Sequence, residues 1–151
     1  MQESSVKIGS WFMIAMGIYA LITAVLWIFV TEVAFVSDFG AYTGQPYSDF
    51  LTSNPKPAEL WLFTKRLIGI ERLATSLLII LIIQKSYRRG EKWSWYALLI
   101  AGLITWGSLI GYRIAIGYVE STGVATPILG LALLFIGLAL PAKTILGKKT
   151  M

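Results

Sequence analysis

Residues 60–84 read LWLFTKRLIGIERLATSLLIILIIQ, and the number of membrane spans in this chain turns on that block. Only residues 73–84 are free of charge, and twelve residues are too few to cross ~30 Å of hydrocarbon, which takes about 20 in a helix. The outer half carries Lys65, Arg66, Glu71 and Arg72. The simplest solution is one helix over 57–84 that keeps these charges inside a bundle. Pro57 suits its first turn, and Glu59 lies near the positive end of the helix dipole.

The three blocks around it are plainer. Residues 8–31 form 24 consecutive uncharged positions, 93–112 form 20 and 121–142 form 22, each long enough to span. The composition agrees: 56% of the 151 residues are apolar and 14% charged, against about 25% charged in a soluble domain, and mean hydropathy is +0.71. A secretory signal peptide is the competing reading of the first block. Against it, Lys7 is the one basic residue ahead of the block, the apolar stretch is overlong and no small-residue cleavage pattern follows. The expected fold is an all-α integral membrane protein: one domain over 1–151, an antiparallel four-helix bundle with helices at about 8–31, 57–84, 93–118 and 122–142.

Basic residues near span ends set the orientation. Lys85, Arg88, Arg89 and Lys92 lie between the second and third spans, and Lys143, Lys148 and Lys149 follow the fourth. With four spans these share a side with the N-terminus, so both termini are expected to be cytoplasmic in a multi-pass protein of the cell membrane. The opposite side holds Glu32, Asp38, Asp49, Glu59 and Glu120 against Lys56. The net charge of +5 is thus topological and suits anionic lipid head groups rather than nucleic acid.

Residues 32–56 are long for a helix–helix connection. Phe35, Phe39, Tyr42, Tyr47 and Phe50, interleaved with Gly40, Gly44, Pro46 and Pro55, predict a structured, turn-rich extracytoplasmic loop between helices 1 and 2. It is expected to act as a lid, a docking surface or an interface-anchored connection. Asp38 and Asp49 lack the spacing of a calcium-binding EF-hand loop.

There is no His and no Cys, which removes thiol chemistry, disulfides, a Ser-His-Asp relay and the usual haem, zinc and copper ligand sets. No cofactor, metal site or catalytic residue is assigned, and a non-enzyme is expected. An acid/base role for Glu71 is the remaining enzymatic alternative, because burial beside Arg can tune a carboxylate.

Counting 1.5 Å per residue from the inner ends of the second and third helices places Glu71 and Arg72 roughly 18–20 Å up, and Lys65, Arg66 and Arg113 roughly 27–30 Å up. The outer layer can snorkel toward water or toward Glu59 and Glu120. The deeper charges need a partner or a polar pocket, and because adjacent helical residues point about 100° apart, Glu71 and Arg72 each need their own. Thr105, Trp106 and Ser108 on the third helix and Tyr19 and Thr23 on the first lie at that height.

The candidate ligand- or partner-binding residues are therefore Lys65, Arg66, Glu71, Arg72, Trp106 and Arg113. Gly107, Gly111 and Ala115 form a small-residue stripe for close helix packing within the bundle, with a second copy or with another protein. Gly130 and Gly137 share a face of the fourth block, which reads as lipid-facing or scaffold-like. Trp11, Trp27, Trp61, Trp93 and Trp95 fall near span ends, as interfacial anchors do; Trp106 alone is deep.

The segment 87–98, YRRGEKWSWYAL, preceded by Arg66 and Gly69 and followed by Gly111-Tyr112-Arg113, resembles small four-helix membrane proteins of the DoxX-like kind over residues 60–118. The resemblance implies an antiparallel four-helix membrane bundle, with some members linked to quinone-dependent oxidation as subunits of larger complexes. Two functions follow as expectations. One is a non-catalytic accessory or scaffolding subunit, whose partners are membrane lipids, other integral subunits or further copies of itself. The other is a binding protein or small transporter for a lipid, quinone-like or anionic molecule held by the intramembrane Arg/Glu cluster.

Overall fold

Long uncharged stretches favour helix, because every backbone N–H and C=O then finds its partner within the segment. A computed structural model describes residues 2–117 and 121–147, and it is helical throughout, with no strand among the described residues. Glu120, Lys148 and Lys149, which enter the charge pattern above, lie outside them.

Helix α1 runs Gln2–Phe29, α2 Thr31–Thr43, α3 Tyr47–Ser53 and α4 Pro55–Lys85. A single 3₁₀ turn, Tyr87–Arg89, leads to α5, Lys92–Gly102; a π-helical turn, Leu103–Gly107, joins α5 directly to α6, Ser108–Ala115; then come α7, Ser121–Ala139, and the short α8, Ala142–Leu146. Helices Ser4–Phe29, Pro55–Arg89 and Lys92–Ala115 are long and apolar enough to cross a membrane, and the apolar part of the last long helix, Val124–Ala139, is shorter.

Local chemistry explains the boundaries. Pro55 takes the first position of α4, where a missing N–H costs nothing. Gly90 (φ 70°) closes the turn after α4 in the left-handed region and reverses the chain into α5. At the break between α1 and α2, Thr31 Oγ1 donates to the Trp27 carbonyl oxygen at 2.7 Å.

α1 packs along α4 on one side and α7 on the other; the third long helix leans on α7, and α4 meets it mainly at α5. Met13, Met16 and Ala20 of α1 interlock in the core with Ile79 and Ile83 of α4, Leu98, Trp106 and Leu134. Tyr87 is fully buried and donates from its hydroxyl to the Gly137 carbonyl at 2.6 Å, tying the turn after α4 to α7. The outward faces are also apolar, with Ile18, Ile22, Leu78, Ile104 and Phe135 among many large side chains left exposed. Gly137 packs against Met13 and the Gly9 carbonyl, so that face of α7 is turned inward rather than outward.

The connection after α1 differs from the expected turn-rich loop. It is largely two helices, because its prolines and Gly44 fall at helix ends: Pro46 precedes α3, Pro55 opens α4 and Gly44 (φ 72°) terminates α2. Phe35 and Phe39, one helical turn apart, then share the face of α2 that meets α4. Phe39, Tyr47 and Ala58 form a second buried cluster with Phe50 and Trp61. The Phe39 ring meets the edge of Trp61 at 5.5 Å and that of Tyr47 at 5.3 Å.

Candidate functional site

The deep layer of charge comes apart into two unlike residues. Arg72 is 9% exposed, and its guanidinium carbon lies 4.6 Å from the ring of Trp27 and 4.6 Å from that of Trp106. Each indole face stabilises the cation by cation–π attraction. The Nε and Nη2 atoms of Arg72 are buried and make no hydrogen bond. Glu71, pointing away from its neighbour as helical geometry requires, is exposed and forms no ion pair or side-chain hydrogen bond among the described residues.

Three local features set these contacts. Gly69, one turn before Arg72 on α4, lies so close to Trp27 and Ile28 that a Cβ there would sit 3.0–3.2 Å from α1 atoms. On the far side, Gly130 of α7 leaves the room that the Trp106 indole fills. The π-helical turn carries Trp106 itself, and such turns, which re-aim side chains, recur at functional sites. Trp106 also stacks on Tyr19 at 5.5 Å and 18°, while the Tyr19 hydroxyl donates to the Thr126 carbonyl at 3.3 Å.

Around Arg72 lies a cleft of about 240 Å³ walled by α4 (Ile68, Glu71, Thr75), the third long helix (Ile104, Thr105, Ser108) and α1 (Ala20, Trp27). Along it α4 makes few contacts with the π turn and α6. Thr23 faces its own helix instead, donating to the Ala20 carbonyl.

The outer layer of charge is tied to the helical cap rather than to Glu59. Arg113 Nη2 lies 3.7 Å from Asp38 Oδ1, joining the end of the third long helix to α2. Burial pushes the Asp38 pKa above the ordinary carboxylate range, against the opposing pull of Arg113 and Lys65. The Lys65 ammonium sits 4.9 Å over Phe35 and 5.4 Å from both the Trp61 and Tyr112 rings. Arg66 is exposed and donates from Nε to Thr31 Oγ1 at 3.3 Å. Burial, reinforced by Glu32, raises the pKa of the Tyr47 phenol, which donates to the Ala58 carbonyl at 3.0 Å.

Of the six candidate binding residues, Arg72 and Glu71 line the cleft, Trp106 packs against Arg72, Lys65 and Arg113 meet the cap, and Arg66 reaches Thr31 at its start. Trp27 and Asp38 are the additions that sequence reasoning missed. Gly107 and Gly111 have open space beside them and Ala115 is exposed, so the stripe they form packs against no described part of this chain. A groove of about 560 Å³ between α2 and α3, bordered by Glu32, Gln45 and Ser48, includes none of the candidate residues. No cluster of acidic side chains suited to a metal ion occurs among the described residues.

No known family model matches the chain, and neither does any curated protein or solved structure.

Proposed function

We propose that this chain is a non-catalytic integral membrane protein that binds the head of a membrane-dissolved small molecule in the cleft beside Arg72. Its three long apolar helices and α7 form an antiparallel four-helix bundle of the DoxX-like kind in the cell membrane. Both termini are cytoplasmic, on the side rich in Lys85, Arg88, Arg89 and Lys143. The apolar outward faces support insertion, since surface of this kind is costly in water. The α2–α3 cap closes the opposite end.

One observation carries the binding reading: a buried cation with unmet donors is among the residues that line a cleft between α1, α4 and the third long helix. Ionisable groups at such depth are costly, and their presence marks a site. Native mass spectrometry of the protein, extracted gently from its own membrane, is the test. A stoichiometric small molecule retained by the wild type and lost from Arg72→Leu supports the reading, and its retention by both Arg72→Leu and Glu71→Gln overturns it.

A second reading, an accessory subunit that joins a larger membrane assembly or pairs with itself, is favoured by the uncovered stripe of Gly107, Gly111 and Ala115. Crosslinking in native membranes tests it. A partner captured by the wild type and lost from Gly111→Leu supports assembly, and a lone monomer in both cases removes it.

A further inference from the structure

Arg88, in the turn after α4, reaches across to α1: its guanidinium carbon lies 5.6 Å from the ring centre of Trp11. Both side chains are exposed, Trp11 at 58%. The basic residues at this end of the bundle attract anionic lipid through a diffuse field that all of them share. A cation laid on the indole of a second helix differs from the rest, because the contact gives it a definite place. Arg88 forms no ion pair or hydrogen bond among the described residues. Its N–H donors are thus held at one spot on the α1–α4 seam without a partner in the protein.

The surroundings of that spot suit a lipid phosphate. Lys7, one helical turn before Trp11, is exposed and puts a second cation on the same face of α1. It too forms no ion pair among the described residues. The indole N–H of Trp11, unlike those of Trp93 and Trp95, donates to no described residue. Glu91, the one acid in 86–91, accepts from Trp93 Nε1 at 2.6 Å and is engaged with α5 rather than with Arg88. Further along, the seam is apolar. A Cβ on Gly17 would lie 2.7 Å from Ile80 Cγ1, so α1 and α4 leave no room between them, and a hydrocarbon chain can lie only along the outside. Beside that contact Ile18 is 46% and Leu77 48% exposed.

We propose that the cytoplasmic end of the α1–α4 seam is a discrete site for one anionic phospholipid of the inner leaflet. Its phosphate sits on Arg88 and Lys7, its glycerol backbone against Trp11, and one acyl chain along Ile18 and Leu77. The phosphodiester oxygens accept charge-assisted hydrogen bonds from the guanidinium and the ammonium. A zwitterionic lipid carries the same phosphate, but its own cation cancels the attraction of the two basic residues. The inference rests on the proposed insertion and orientation of the chain in a bilayer; the occupant of the Arg72 cleft does not enter it.

The test is quenching of tryptophan emission by brominated phospholipids, with the full chain in phosphatidylcholine vesicles. The share of Trp11 is the difference between the wild type and Trp11→Phe. Brominated phosphatidylglycerol should quench that share at about a tenfold lower mole fraction than brominated phosphatidylcholine, a severalfold gain from each of two basic residues. Arg88→Gln should remove most of the preference and Lys7→Gln part of it. Arg89→Gln, an equal loss of charge in the same turn at a residue with no ring contact, should leave it nearly unchanged. No preference for phosphatidylglycerol, or equal losses from Arg88→Gln and Arg89→Gln, overturns the discrete site and leaves the membrane reading standing. Emission that neither brominated lipid quenches overturns insertion and the site together.

Discussion

Replacing Arg72 by methionine asks whether the buried cation holds the helices together or is held by them. Against the change stand two cation–π contacts, each at 4.6 Å and together worth on the order of 1–4 kcal/mol; a methionine sulfur near the same rings restores part of that. For the change stand two buried donors without partners, each costing about 1–3 kcal/mol and more on a charged group, and the penalty of several kcal/mol for an isolated buried ion. The second set is larger. Arg72→Met should therefore leave stability unchanged or raise it by up to about 3 kcal/mol, in the range found when buried ionic groups give way to apolar ones. The assay is thermal unfolding in neutral detergent, followed by tryptophan fluorescence, where each kcal/mol moves Tm by about 2–4 °C in a chain of this size. A drop in stability beyond about 2 kcal/mol would refute the reasoning, because it would mean that Arg72 has partners worth more than two indole faces. A more stable variant that no longer binds ligand would mark a site kept for function at the cost of stability.

Other outcomes follow from the packing and the cap. Gly130→Ala should destabilise the protein by about 1–3 kcal/mol, as overpacking does, and should shift the Trp106 emission, because the added methyl meets the indole ring. Tyr87→Phe removes the 2.6 Å hydrogen bond to the Gly137 carbonyl and should cost about 1–3 kcal/mol in the same melting assay, since that carbonyl is left buried and unmet. Because the Asp38 pKa is raised in the folded state, the docked cap binds more protons than the opened one between the two values. Cap stability is then fully present below the ordinary carboxylate range and declines as pH rises through the raised value. Hydrogen exchange of α2 amides, corrected for the intrinsic rate, should accordingly show tighter docking at pH 4 than at pH 7, and Asp38→Asn should flatten that difference.

Much of the architecture was legible in the chain. The uncharged runs at 8–31 and 93–112 coincide with long helices, and the charged block at 60–84 is one helix, Pro55–Lys85, as its length demanded. Trp106, singled out from the other tryptophans by its place within a span, is buried in the bundle at 1% exposure. The 32–56 segment was misjudged as turn-rich because glycine and proline were counted without their positions; at helix ends they delimit helices rather than prevent them. Trp27 was assigned to the membrane interface from its place in the sequence; the contact of its ring with Arg72, where Gly69 lets α4 approach α1, was not legible there. Asp38 was weighed as a metal ligand; the helical course of α2 sets its carboxylate opposite Arg113.

The sequence by itself determined that the chain is helical, which stretches are apolar enough to cross a membrane and which charges fall within them. Those properties depend on local hydrogen bonding and on summed side-chain transfer energies, both of which can be read along one segment at a time. Only the tertiary structure decided that Arg72 is buried against two indoles with two donors unmet, that Glu71 one residue away is exposed, and that the glycine stripe of the third long helix stays uncovered. Helix rotation and approach distance settle those facts. They depend on contacts between residues far apart in the chain, such as Gly69 with Trp27 and Gly130 with Trp106, whose closeness no single segment encodes.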